Sequence, residues 1–295
     1  MDEPGRLSRR FEEERGRLQA MAYRMLGSLA EAEDAVQETW LRLSRADTSE
    51  VRSLGAWLTT VLSRVCLNML RTRATRREEF LDAAPEPVAE WAEGADPEEE
   101  AVLADSVGLA LLVVLDALTP AERLAFVLHD MFAVPFDEIG PMIERSPAAA
   151  RQLASRARRR VRGGSPLPDA DLGRQRRVVD AFLAASRGGD FEALVTLLHP
   201  DVVLHADAAA GPSPRPVDIS GARRVAQGSL AARARLPFTR PALVNGSVGL
   251  VTAPHGRLFV ALVFSYDEAG ERITAIDVVA DPDRLSDLQL AVLDA

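Results

Sequence analysis

Charge along this chain is sorted into blocks, and the blocks constrain what it can become. From Val51 to Arg77 there are six Arg and no acidic residue. From Glu78 to Glu122 there are thirteen Asp or Glu and no Arg, and from Arg145 to Arg162 seven Arg and again no acid. A net charge of −9 would repel a polyanion if it were spread evenly. Sorted this way, it describes two basic modules on either side of an acidic tether, a layout suited to gripping nucleic acid. The plainer alternative is a set of solvated helix faces joined by a solubilising linker. With 47% apolar and 27% charged residues the chain is globular, and its 295 residues allow two or three domains.

Breaks in the pattern place the boundaries. Ala83-Ala84-Pro85-Glu86-Pro87 and Asp96-Pro97 interrupt regular structure within the acidic run, and Gly163-Gly164-Ser165-Pro166-Leu167-Pro168 ends the second basic run. Segments of 6–80, 105–162 and 171–295 follow, with 81–104 as an acidic linker. The single Cys66 forms no internal disulfide or Cys-based metal site and fits a reducing compartment as a buried thiol. Val107–Leu115 is the longest apolar run and is too short to span a bilayer, while the charged N-terminus lacks the apolar core of a secretory leader. A cytoplasmic protein with no membrane partner, metal or cofactor is expected.

In the first segment, Phe11 to Leu26 reads as a helix with Leu18, Met21, Ala22, Met25 and Leu26 on one face and Gly27 as its stop. Ala30 to Arg45 is a second helix with Val36, Trp40 and Leu43 inward. A third starts near Leu54, burying Leu58, Val61, Leu62, Val65 and Met69. Opposite that stripe lie Arg64, Asn68 and Arg71, with Arg73, Arg76 and Arg77 beyond them. Such a face can follow phosphates while Asn and Arg reach base edges. Trp40 and Trp57 sit on apolar stripes, which favours core packing over stacking against bases.

In the second segment, Asp105 to Ala117 reads as an apolar helix. Thr119-Pro120 and Ser146-Pro147 each open a helix with a capping hydroxyl followed by Pro at the first helical position. Phe136 to Ile143 is a short helix, Glu144-Arg145 a turn, and on the last helix Leu153, Ala157 and Val161 form the expected buried stripe. Gln152, Ser155, Arg156 and Arg159 line its other face. Short helix, tight turn and longer Arg-faced helix is the layout of a helix-turn-helix. Pro141 inside the short helix removes a backbone hydrogen bond at a cost of about 3 kcal/mol, so a kink is expected there. The third segment has a helix over Arg174–Arg187, a second ending at His199-Pro200-Asp201, then strand-like runs at Val202–Ala206, Ala242–Val244, Val248–Thr252, Leu258–Ser265 and Ile273–Val279.

Three stretches carry a family resemblance. Ala32-Glu33-Asp34-Ala35-Val36-Gln37-Glu38-Thr39-Trp40-Leu41-Arg42-Leu43 resembles the polymerase-binding helix of extracytoplasmic-function (ECF) sigma factors, and the basic helix from Trp57-Leu58 to Arg76-Arg77 is similar to that group's −10 helix. Leu118–Arg123, Phe136-Asp137-Glu138-Ile139 and Ser155–Arg158 resemble the −35-binding domain, with Pro141 where the family usually has Ala. The third segment, through Gly189-Asp190-Phe191-Glu192-Ala193-Leu194 and Leu197–Val203, resembles the SnoaL/ketosteroid-isomerase-like α+β cone found fused to one subgroup of these factors. Pro85-Glu86-Pro87 and Asp281-Pro282-Asp283-Arg284-Leu285 approximate motifs of that subgroup, whereas Asp207-Ala208-Ala209-Ala210-Gly211 keeps its glycine-rich loop poorly.

The resemblance implies a multidomain chain: two all-α sigma domains, region 2 and the region 4 helix-turn-helix, plus the α+β cone. It implies that Asp34, Gln37, Glu38 and Leu41 face the β′ clamp helices of core RNA polymerase, and that region 4 meets the β flap. Arg64, Asn68 and Arg71 would lie at the −10 element, and Arg151, Gln152, Ser155, Arg156 and Arg159 at the −35 duplex. In the cone, His205, Asp207 and Asp277 are candidate pocket residues, for a small-molecule ligand or for proton transfer beside a carbonyl. Two alternatives remain: a helix-turn-helix regulator that binds DNA unaided, and an isomerase or cyclase in residues 171–295.

Overall fold

The computed structural model describes residues 3–47, 51–79, 108–163, 169–211 and 215–293. The Pro-Glu-Pro linker, Asp96-Pro97 and the 164–168 break lie outside these residues. Three helices come first: α1 (Glu3–Leu26), α2 (Leu29–Leu43) and α3 (Leu54–Glu79). After the linker come α4 (Leu109–Asp116), α5 (Pro120–Phe126) continuing into a π-turn (Val127–Met131), α6 (Phe136–Met142), α7 (Pro147–Arg162) and α8 (Asp169–Gly188). The remainder is α9 (Phe191–Leu197), β1 (Leu198–Ala206), β2 (Val217–Ser220), α10 (Ala222–Ala231), β3 (Thr239–Val244), β4 (Ser247–Thr252), β5 (Val260–Tyr266), β6 (Ile273–Val279), α11 (Pro282–Ser286) and β7 (Leu290–Ala291).

The chain forms two compact units. One comprises residues 1–100 and 118–158, the other residues 101–117 and 159–295. In the first, Leu18, Met21, Ala22, Met25 and Leu26 of α1 are buried with Val36 and Leu43 of α2 and Leu58, Leu62 and Val65 of α3. Val61 and Met69, placed on the same stripe by their spacing, are only half-buried. The buried face of α3 is instead wider on its other side, taking in Ser63, Cys66, Leu67 and Leu70, because α5 and α6 pack there as well as α1 and α2. Trp40 lies half-buried against Phe11, ring centroids 5.0 Å apart, which is the packing role its stripe implied.

The cap chemistry holds. Thr119 and Glu122 form a reciprocal capping box at the start of α5, and the Ser146 hydroxyl accepts from the Ala149 N–H at 3.2 Å at the start of α7. The helix carrying Pro141 ends one residue later, at Met142, so little helix remains for a kink to redirect. On α7 the buried residues are Ala150, Ala154 and Ala157, with Leu153 and Val161 half-buried, so the contact face is rotated from the expected stripe. Small residues let this helix approach closely: a Cβ on Gly140 would stand 2.8 Å from the Arg145 carbonyl oxygen.

The second unit is α+β. Its seven strands run in the order β2-β1-β6-β5-β4-β3-β7, with β1 and β6 parallel and the other neighbours antiparallel. Asn245 and Gly246, both at positive φ, make the two-residue β3–β4 turn. One sheet face, through Leu204, Leu250, Leu262, Phe264 and Ile276, packs against α8, α9 and α10. The opposite face is covered at its β3–β5 end by α4, whose Leu109 and Val113 contact Ala242, Val244, Val251 and Ala261. The last turn of α7 also belongs here: the Val292 N–H donates to the Val161 carbonyl at 2.9 Å. Thus α4, the first helix of the 105–162 segment, is a cover of the C-terminal sheet.

Candidate polymerase and promoter interfaces

On α2 the inward residues recur so that Asp34, Gln37 and Leu41 are left exposed on one side, with Glu38 half-buried beside them. The Glu38 carboxylate accepts from Arg42 Nε at 2.8 Å, an i,i+4 pair that holds it extended along the helix. Leu41 is 39% exposed, an apolar side chain ringed by acid and amide groups. That combination suits a protein partner better than water, since burying Leu gives affinity while the flanking charges set orientation.

The outer face of α3 carries Arg64, Asn68 and Arg71, all exposed. Arg73, farther along, is half-buried: it hydrogen-bonds the Leu26 carbonyl at 3.2 Å and pairs with Glu31. It therefore ties α3 to the α1–α2 corner and adds less to the basic face than its position suggested. The helix continues through Arg76 and Arg77, whose side chains lie outside the description.

On α7, Arg151, Gln152, Arg156 and Arg159 are exposed and Ser155 is half-buried. Arg151 rests on an aromatic ring, its guanidinium carbon 5.3 Å from the centroid of Phe136. Arg158, which the outer-face spacing does not include, donates to Asp130 at 2.5 Å. Sequence reasoning passed over Asp130 and His129 because they fall in the π-turn, which no helical period marks.

The three cone candidates lie on β1 (His205), just past its end (Asp207) and on β6 (Asp277). His205 stands opposite Asp218 on β2 and Asp277 on β6, so His205, Asp218 and Asp277 form a row across the sheet. Their strand neighbours Leu204, Ile219 and Ile276 turn into the helix-covered core, which sends the row to the other face. His205 is exposed and its Nδ1 lies 2.7 Å from Asp218 Oδ1. Asp277 Oδ2 accepts from Arg284 Nη2 at 2.6 Å. Buried Asp207 accepts from the Ala280 and Asp281 N–H groups, both at 2.8 Å, and from Arg284 Nη1 at 3.5 Å. Arg284 thus joins two of the candidates, and Asp207 fastens the start of α11. A separate open cleft in this unit is lined by Arg174, Arg177, Val178, Leu197, Gly270 and Glu271. Among the described residues no group of three His, Cys, Asp or Glu could hold a metal ion, and no helix is long and apolar enough to cross a membrane.

Residues 10–76 match the family described as Sigma-70 region 2, and residues 108–161 match Sigma-70, region 4. Over 294 residues the chain is 40% identical to the ECF RNA polymerase sigma factor SigJ of Mycobacterium tuberculosis, an alignment covering 94% of this chain and 92% of that protein. The chain belongs to the ECF RNA polymerase sigma factors. A second relative from the same organism, the probable ECF RNA polymerase sigma factor SigI, is 34% identical over 279 residues, covering 91% of each. The crystal structure of M. tuberculosis SigJ aligns over 95% of this chain and 98% of its own, at 34% identity with a TM-score of 0.46. This ECF sigma factor binds core RNA polymerase and directs it to promoter DNA. Its exposed α2, α3 and α7 faces lie in the two matched regions: α2 and α3 in region 2, α7 in region 4.

Proposed function

We propose a division of labour among the named residues. Asp34, Gln37, Glu38 and Leu41 seat the factor on the β′ clamp helices, and region 4 also meets the β flap. Arg64, Asn68 and Arg71 engage the −10 strand, and Arg151, Gln152, Ser155, Arg156 and Arg159 enter the −35 major groove. The observation that carries this reading is the exposure of every one of these side chains, in part or in full, on faces whose opposite sides are buried. Arg and Gln on such a face suit G and A edges, while the remaining cations track phosphates.

The third segment serves as a fused modulator without catalysis of its own. Support comes from its candidate acids: Asp207 and Asp277 share Arg284, and His205 is solvent-exposed on the face away from the helices. It also supplies the sheet on which α4, within the matched region 4, is buried. Residues 6–80, 105–162 and 171–295 are accordingly functional segments, while the folded units divide the chain elsewhere.

Run-off transcription with bacterial core polymerase, with and without the full chain, tests the assignment. New discrete transcripts should appear, and should vanish with Arg151→Ala plus Arg156→Ala while core binding persists. Asp34→Arg with Leu41→Asp should abolish core binding itself. Sequence-specific DNA binding that is just as tight without polymerase, and transcripts indifferent to these variants, would sink it. Removing residues 170–295 should change promoter output; identical output from several promoters would refute the modulating role.

A further inference from the structure

The π-turn at Val127–Met131 has consequences at His129 and at Asp130. A π-turn widens the helix by one residue and commonly marks a functional position. Here it ends α5 through a chain of backbone bonds: the Ala133 N–H reaches the His129 carbonyl at 3.1 Å and the Val134 N–H reaches Leu128 at 2.9 Å. Ala133 takes a positive φ of 54° to close the turn. The His129 ring is then fixed twice. Its Nδ1 lies 3.1 Å from the Val134 carbonyl, and since a carbonyl only accepts, Nδ1 carries the proton. Its plane stacks on Phe136, centroids 3.8 Å apart and 28° from parallel. Phe136, the first residue of α6, in turn carries the Arg151 guanidinium 5.3 Å from its ring centre. The next residue, Asp130, holds Arg158 seven residues farther along α7.

We propose that His129 and Asp130 are positioning residues for −35 recognition: the π-turn sets a His129–Phe136–Arg151 stack that pre-orders the base-reading arginine, and an Asp130–Arg158 pair that fixes the axis of α7. The proposal rests on the reading that Arg151 meets the −35 duplex. Arg151 is exposed, and an exposed Arg that is free to rotate loses side-chain entropy when it reads a base. Resting on a ring that is itself clamped, it has already lost part of that freedom. Asp130 acts at the far contact, so the two points together hold both the rotation and the tilt of the helix. His129 and Asp130 need touch no DNA themselves.

The test is base preference in transcription from a promoter library randomised across the −35 element, using core polymerase and full-length chain. Arg151→Ala should flatten preference at one or two positions. His129→Ala should flatten the same positions about three- to tenfold, the range expected for an aromatic or cation–π contact, with core binding unchanged. His129→Phe should restore the preference, since the stack survives without the hydrogen bond. Phe136→Leu removes the ring under Arg151 while leaving the His129–Val134 bond, and should match His129→Ala; it answers the question if His129→Ala fails to fold. If Arg151→Ala flattens preference and neither His129→Ala nor Phe136→Leu does, the positioning role is overturned. If His129→Phe is as damaging as His129→Ala, the stack is overturned in favour of local scaffolding. An unchanged preference in Arg151→Ala removes the underlying −35 reading, and the proposal falls with it.

Discussion

Cys66 shows how much a single buried atom can report. It is wholly buried on α3, and burial pushes its thiol up to about 12 from an ordinary value of 9.0, with the nearby Arg123 opposing the shift only in part. The sign follows from linkage: the unfolded thiol ionises near pH 9 while the folded one stays protonated, so stability is fully present below pH 9 and is lost as pH rises toward 12. Thermal melting between pH 8 and about 11 should fall for the wild type, and the fall should be shallower in Cys66→Ala, whose overall stability is lower by about 1–2 kcal/mol from the small cavity. Native protein at pH 8 should react with iodoacetamide only as fast as it unfolds. Gly140 offers a second measure at this scale. Alanine there would set its Cβ 2.8 Å from the Arg145 carbonyl oxygen, so Gly140→Ala should cost about 1–3 kcal/mol by denaturant melting and weaken promoter output through a displaced α7.

At the scale of elements, Asp207 shows what a carboxylate can do besides chemistry. It satisfies two backbone N–H groups and an Arg at the start of α11, and Asp281 caps the same helix through the N–H groups of Asp283 and Arg284. Asp207→Ala should cost about 2–4 kcal/mol, because buried donors are left unsatisfied; Asp207→Asn, which keeps an acceptor oxygen, should cost about half as much by urea melting. The same region marks where sequence was legible and where it was not. The long helices α1 and α3, with their large apolar residues, and the starts of α5 and α7, with their hydroxyl-Pro caps, could be read because periodicity and caps are local. The buried face of α7 could not: its contact is made by Ala150, Ala154 and Ala157, residues too small to stand out from a polar sequence. Nor could β2, a four-residue edge strand, or α10, whose Arg-bearing sequence hides the buried Ala222, Val225 and Ala226. The facing of the candidate cluster was not legible either, because facing depends on register. Placing His205 and Asp277 inside the cone required knowing that Leu204 and Ile276 take that side, and Asp218, on the unread strand, is the neighbour that reveals the row.

For the molecule as a whole, what matters is that the family boundaries and the folded units disagree. Region 4 as a family covers residues 108–161, yet Leu109 and Val113 of α4 are buried on the C-terminal sheet, and α4 belongs to the same folded unit as that sheet. Leu109 and Val113 are almost fully enclosed there, each contributing about 1.5–3 kcal/mol of burial that exists only while the sheet does. An eight-residue helix has no stability of its own in water. A chain ending at Gly163 should therefore keep α1–α3 and lose α4: limited proteolysis should cut within 109–117 in the truncated protein and leave that stretch intact in the full one. Val113→Asp provides the same insult without deletion, since an unpaired carboxylate against Val244, Val251 and Ala261 costs several kcal/mol. If α4 links the third segment to region 4, Val113→Asp and the truncation should change run-off output in the same direction, with core binding through Leu41 retained in both. A truncation that alters transcription while Val113→Asp does not would mean that the C-terminal segment acts by some route other than α4.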